Sequence, residues 1–323
     1  MRITIYRLGK GLILPVVLVV VLAAFPLMRV PLSWLLYLFT FFIYLAMANM
    51  WNLLAGYSGL MSLCQPAFIG LGGYTMVILT WVGVPYYLGI IAGAIVAAAF
   101  ALLISIPVFR LRGIYFAIGT LVVPEALRIA FFLWRPVGGE LHGGGAGYML
   151  KGTGGVTTTE IYWLALVIGV ASLLVLRIIL RSRLGLGLAA IRDNDRTAAS
   201  SGVDVFRLKL YSFVISALVT GMAGAIFYIH QGYIEPASAF NIRWTMTLML
   251  ATVIGGISTE TGPIIGTVIG VFLYFLLATQ GALSLLIQGV ILVGIMLLAP
   301  QGIIGFIRKT RPYHSLLQLA TRR

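Results

Sequence analysis

The chain has 323 residues, 61% of them hydrophobic and only 9% charged, with a mean hydropathy of +1.06 and a net charge of +14. Soluble domains carry about 25% charged residues, so this composition excludes a soluble globular protein and selects an integral membrane one. The single Cys64 excludes an internal disulfide and a cysteine-based metal site, and the basic residues sit at the ends of apolar runs, as loop anchors do, not in one patch suited to nucleic acid.

Runs of about 20 apolar residues cross a hydrocarbon core as helices, and lipid leaves only helices or closed barrels as spanning structures. The runs here are continuous and lack a period of two, which selects helices. The expected fold is therefore all-α, a polytopic membrane protein with about ten (8–10) spans. They fall at 11–28, 34–55, 64–82, 86–109, 113–134, 160–180, 208–230, 243–258, 263–280 and 283–300, of which 243–258 and 263–280 are short enough to re-enter. "MRITIYRLGKG" precedes the first run with no small-residue cleavage site after it, and reads as the start of an uncleaved span.

Placing both termini in the cytoplasm makes the charges consistent. Inside fall Arg2, Arg7, Lys10, Arg110, Arg112, the cluster from Arg177 to Lys209, and Arg308, Lys309, Arg311, Arg322 and Arg323; outside remain Arg29, Arg135, Lys151 and Arg243. Residues 1–308 then form one transmembrane domain and 309–323 a cytoplasmic tail. The outer stretch 135–159 is glycine-rich and reads as an irregular loop, either a flexible connector or a docking surface for an extracytoplasmic partner.

Two stretches are too broken to be ordinary spans: "NLLAGYSGLMSLCQPAFIGLGGYT" at 52–75 and "IGGISTETGPIIGTVIG" at 254–270. Glycine and proline at membrane depth mark either a solute path or close helix packing; both readings stand for the first stretch, and packing is preferred for the second.

Of the eight carboxylates only Glu125 lies in an apolar span, and Arg128 one turn on can pair with it, which favours a structural ion pair over a proton relay. His230 falls at a span's outer end as an interface residue. No histidine–carboxylate set has metal spacing, and no nucleophile elbow appears, so an enzyme is not expected. None of the four lysines completes a phosphate-binding loop; energy for active transport must come from a separate cytoplasmic protein.

That need gives a reason for the polar insert "RSRLGLGLAAIRDNDRTAASSGVDVFRLKL". Leu188, Ala189, Ile191, Thr197, Ala198 and Val203 suggest one or two short amphipathic helices, with Arg192, Asp193, Asp195 and Arg196 on a polar face, Asp193 as a cap or acceptor, and Gly202 as a left-handed stop. Such a segment can seat in a groove of a soluble ATPase or be an ordinary solvated loop.

The broken stretch 52–75 resembles the signature of the M-type membrane subunits of ABC importers for branched-chain amino acids. "GLGLAAIRDNDRTAASSGVDVFRLKLYSFVISALVTGMAGAIF" is similar to that family's cytoplasmic coupling segment and the span after it, and "VIGGISTETGPIIGTVIG" and "LLAPQGIIGFI" to its carboxy-terminal motifs. The chain departs from the pattern at Ala199, where an acidic residue is usual, at Ser200 and Ser201, and at Cys64-Gln65-Pro66. The resemblance implies two pseudo-symmetric halves with broken helices. It implies a homologous second permease subunit, two ATP-binding subunits that hold the ATP and Mg, an extracytoplasmic solute-binding protein, and a place in the cell inner membrane. The cargo it implies is a branched-chain amino acid; relatives of the same fold carry urea, short amides and other amino acids, by pumping or as channels. Arg192, Asp193, Asp195, Arg196 and Gly202 of the coupling segment 181–209 are the expected ATPase contacts. Asn52, Tyr57, Ser58, Gln65 and Phe68 are the expected wall of the path.

Overall fold

A computed structural model describes residues 17–28, 30–138, 142–152, 155–277, 282–298 and 302–305. Each expected span corresponds to an apolar helix among them: α1 (Val17–Met28), α2 (Leu32–Asn52), α3 (Gln65–Trp81), α4 (Tyr86–Val108), α5 (Ile114–Leu133) and α6 (Thr158–Arg181). The polar insert supplies α7 (Arg183–Asp193) and α8 (Asp195–Ser200). Then come α9 (Val205–Gln231), a single turn α10 (Pro236–Ala239), α11 (Arg243–Gly255), α12 (Gly262–Leu276) and α13 (Ala282–Leu298). Five are long and apolar enough to cross a membrane, counting α2 with the π-helical turn Leu53–Tyr57 that extends it. At 1.5 Å per residue, α11 with 13 residues and α12 with 15 reach only about 20 and 23 Å. The expected tail 309–323 and the first residues of the chain lie outside the described residues.

Local chemistry sets the helix ends. A reciprocal capping box between Thr157 and Glu160 starts α6. Asp204 accepts from Arg207 N to start α9, and Gly232 at φ +68° stops it. Pro66 and Pro263 sit in the first turns of α3 and α12, where a missing N–H costs nothing.

The centre of the bundle is α9, the most buried of the long helices, held between α3 and α4 with α2 and α6 alongside. Glycine lets these backbones touch: a Cβ on Gly72 would stand 2.0 Å from Gly221 O, and one on Gly93 2.6 Å from Gly72 O. Small residues at helix contacts replace the hydrophobic driving force that lipid removes. The same holds for α11 and α12, where a Cβ on Gly266 would stand within bonding distance of Ala251 O. Most glycine in both broken stretches thus serves packing. By contrast α5 is the least buried span, with one turn tied by the ion pair of Arg128 Nε and Glu125 Oε2 at 2.9 Å.

The described part of the stretch 135–159 is the irregular loop expected, but it is anchored and not a free connector. It is tied to the bundle by an antiparallel bridge, β1 (Tyr148–Met149) with β2 (Tyr233–Ile234). Trp81 Nε1 donates to Met149 O at 2.8 Å, the Lys151 ammonium lies 3.5 Å from the Trp81 ring centroid, and Tyr148 is buried. A two-residue bridge to a partner far along the chain leaves no local periodicity to read. His230 is exposed at the end of α9, its ring 4.8 Å from that of Phe39.

Candidate functional site

The insert folds as two short helices on one face of the bundle. Ser182 starts α7 by accepting from Leu184 N at 3.2 Å. The cap of α8 is Asn194, whose Oδ1 accepts from Arg196 N at 2.9 Å and Thr197 N at 3.2 Å, and not Asp193, which instead lies 3.4 Å from Arg192. The cap must directly precede the helix, and the turn between α7 and α8 falls one residue later than Asp193. Leu188, Ile191 and Ala198 are buried against the bundle, while Thr197 points to the exposed side. Gly202 takes φ +84° after α8 with open space around it, as a left-handed stop requires.

Apart from Gly202, the residues expected to meet an ATPase split into two groups. Asp193 and Arg196 are exposed, and the Arg196 guanidinium makes no ion pair or hydrogen bond among the described residues. Asp195 is bound back to α9 by an ion pair with Lys209. Arg192 reaches the first broken stretch: its Nη1 lies 3.4 Å from Gly56 O, and its Cα would be 3.3 Å from a Cβ on Gly59, which takes φ +69°. Beside them α7, α9 and the turn between α8 and α9 leave a groove of about 530 Å³ lined by Arg183, Val203, Asp204 and Arg207 among others, with Leu186 three-quarters exposed on its rim.

Both helix breaks open on this same face and bond to each other. Asn52 Nδ2 donates to Thr259 O at 3.0 Å, and Asn52 Oδ1 accepts from Ser258 N at 3.0 Å. Ser258 Oγ donates to Gly56 O at 2.5 Å. Ser258 is the only non-glycine residue at positive φ among the described residues, at +61°. Gly56 O therefore receives both Arg192 of α7 and Ser258 of the second break. A side chain on Gly56 would stand 2.3 Å from Asn52 Oδ1 and 2.8 Å from Ser258 N, so only glycine fits the junction. Ser258 could not be singled out from sequence, because its role rests on a contact across 206 positions.

The residues expected to line the path sit mostly inside the packing. Asn52 is fully buried in the junction just described. Ser58 is buried, its Oγ donating to Leu54 O at 2.7 Å. Gln65 is buried with its Nε2 donating to Ser216 Oγ at 3.2 Å and its Oε1 without a partner among the described residues. Phe68 is buried edge-on to Phe213, and Tyr57 is half-buried at the end of the π turn. Their neighbours Leu63 and Pro66 do reach open space, a cavity of about 470 Å³ shared with Glu125, Arg128 and Asn241.

A third cavity, of about 440 Å³, lies at the opposite end of the bundle from α7 and α8. It is walled by Tyr44, Tyr228, Trp244 and Tyr274, and carries Glu235 and Arg243. None of these six stood out in the sequence, because an isolated tyrosine or a charge at a span's end has an ordinary reading at the membrane interface.

Among the described residues no three histidine, cysteine or carboxylate side chains group as a metal site would require.

Comparison with known proteins identifies a transport family. A family model described as "Branched-chain amino acid transport system / permease component" matches residues 33–299. A high-affinity branched-chain amino acid transport system permease protein LivM from Salmonella typhimurium strain LT2 is 29% identical over 294 residues, covering 82% of this chain and 68% of the relative. The protein of the same name from Escherichia coli strain K12 is 29% identical over 292 residues, with the same coverage. A probable permease protein LivH from Methanocaldococcus jannaschii is 28% identical over 134 residues, 39% of this chain and 42% of that one. No solved structure matches. With helices fit to span a membrane and a match over most of its length, the chain is a multi-pass inner-membrane transport component, not an enzyme, and it belongs to the family of branched-chain amino acid transport system permease components.

Proposed function

We propose that this chain is the permease subunit of an ATP-driven importer, most directly one for branched-chain amino acids, and that it works by alternating access. ATP and Mg are bound by two partner ATPase subunits, a second permease subunit completes the membrane part, and an extracytoplasmic binding protein delivers the solute. Both termini and the face bearing α7 and α8 are cytoplasmic, as the distribution of arginine and lysine supports.

The observation that carries this reading is the junction at Gly56 O. A push on α7 from a soluble partner meets Arg192, and Arg192 meets the carbonyl on which both helix breaks converge. Breaks are where a helical bundle can bend without losing its hydrogen-bond ladder elsewhere, so motion at the insert reaches the segments best able to respond. Arg196 and Asp193 are left exposed for the partner, beside the groove lined by Arg183 and Arg207.

The test is Arg196→Glu in the complete complex reconstituted in proteoliposomes. Hydrolysis is expected to persist while ATP-dependent uptake of L-leucine falls about tenfold or more, since reversing one desolvated charge contact costs at least about 1.4 kcal/mol. Normal uptake per ATP in that variant would remove α8 from the coupling contact. Uptake at full rate without the ATPase subunits would make the chain a facilitator instead.

A further inference from the structure

The cavity beneath β2 joins features that a plain crevice at the membrane interface does not need together. Glu235 and Arg243 both line it, yet they form no ion pair with each other, and among the described residues no carboxylate oxygen lies within 4.0 Å of the Arg243 guanidinium. The Arg243 side chain has no hydrogen-bond partner among the described residues. Glu235 has only the Tyr233 hydroxyl, 3.3 Å from its Oε2, and that hydroxyl already donates to Ala146 O at 2.7 Å. Burial, with the nearby Glu235 carboxylate, pushes the Tyr233 phenol up, so it stays a neutral donor.

Tyr228 also lines the cavity at 1% exposure, with its hydroxyl closed off beside Ser238 and Trp244. Trp244, the nearest indole donor, is already committed to Ser238 O at 3.0 Å. The other walls are the aromatic faces of Tyr44, Trp244 and Tyr274, with Tyr44 stacked on Trp244 at 5.6 Å between centroids. The volume of about 440 Å³ lies within the range of small-molecule sites, about 300–1,000 Å³.

We infer that this cavity is a solute site for a zwitterion with an apolar side chain: Arg243 takes the carboxylate, Glu235 the ammonium, and the tyrosine–tryptophan wall the hydrocarbon. Opposite charges that share a cavity without neutralising each other leave a gap that a molecule carrying both charges closes. Urea and simple amides lack both charges and leave Arg243 and Glu235 unmatched, so the site discriminates by what it would otherwise leave unpaired. This rests on the permease reading above and adds the position and the recognition chemistry. The site belongs to one subunit, and it lies on the face away from α7 and α8, where a binding protein would deliver its cargo.

The experiment is saturation-transfer NMR on the complete complex in nanodiscs, without binding protein, using three probes: L-leucine, L-leucinamide (no carboxylate) and 4-methylpentanoate (no ammonium). Wild-type complex is expected to bind leucine about tenfold or more tightly than either analogue, the effect of one charged hydrogen-bond partner. Arg243→Gln should erase the preference over leucinamide alone, and Glu235→Gln the preference over 4-methylpentanoate alone. Arg243→Lys, which keeps the cation, should retain the first preference and also reads out the site if the glutamine variant does not assemble. Equal binding of the three probes by wild type, or preferences that survive both glutamine substitutions, overturns the site. ATP-driven leucine uptake in proteoliposomes with the binding protein separates the two readings. Uptake that is intact in wild type and in both variants discards the site and keeps the permease; no uptake in wild type discards the permease reading itself.

Discussion

Replacing Asn52 by Ala takes the bracing group out of the junction between the two helix breaks. Asn52 is fully buried, and its amide holds the second break by donating to Thr259 O and accepting from Ser258 N, each at 3.0 Å. Interhelical hydrogen bonds in membrane proteins average about 0.6 kcal/mol. The Ser258 N–H matters more, because it loses its acceptor in a confined site, at about 1–3 kcal/mol. Ser258 also keeps a backbone at φ +61° whose strain, of order 1–3 kcal/mol, these bonds help to offset. Together the loss is about 2–4 kcal/mol of local stability, which lets the turn at 256–259 open. At 1.36 kcal/mol per decade this lowers amide exchange protection at Ser258 and Thr259 by about 30- to 1,000-fold. Hydrogen exchange with mass spectrometry on the purified complex reads that directly, with peptides from α4 as an internal control. A change smaller than about threefold at 256–259 would show that these two bonds do not hold the breaks together, and the transmission route through Gly56 would lose its basis.

Gly72→Ala tests the packing of the central helices. Its new Cβ would meet Gly221 O at 2.0 Å where about 3.3 Å is the ordinary C–H···O approach, so α3 and α9 must part by about 1 Å. The expected cost is about 1–3 kcal/mol, seen as a lower unfolding midpoint in detergent, and an unchanged midpoint would contradict the backbone contact. Cys64, fully buried at the start of α3 and part of the cluster with Phe68 and Phe213, should resist maleimide in the folded complex and react after denaturation. Labelling at the denatured rate in native membranes would place it on an open path instead.

How much of this is legible in the sequence depends on whether the signal is local. Each apolar helix appears where its run of side chains demands one, because in lipid a helix is the only solution that satisfies every backbone group within its own segment. The two-helix insert is legible for the same reason, from Leu188, Ile191 and Ala198 on one side and the left-handed Gly202 at the end. Of the two roles open to Asp193, cap or acceptor, it takes the second beside Arg192, and the cap falls to Asn194, because either side chain can accept from the helix start and only the turn position chooses between them. The Glu125–Arg128 pair has the geometry that a spacing of one turn allows. The outer stretch is irregular as its glycine-rich composition implies, but its anchoring is not legible, since Trp81, Tyr148 and Lys151 tie it down through contacts between distant parts of the chain.

The amino-acid sequence alone determined the membrane class, the order of the apolar helices, the two points at which helices break and the polar insert between them. Those features follow from side-chain hydropathy, proline and glycine acting on their own segment. Only the tertiary structure decided that the two breaks are bonded to each other, that Arg192 touches the carbonyl they share, and that Glu235, Arg243 and Tyr228 face one cavity. Each of those facts joins residues from different helices, and which faces of two helices meet depends on the packing of the whole bundle, where a carbonyl can approach only because a glycine elsewhere lacks a side chain.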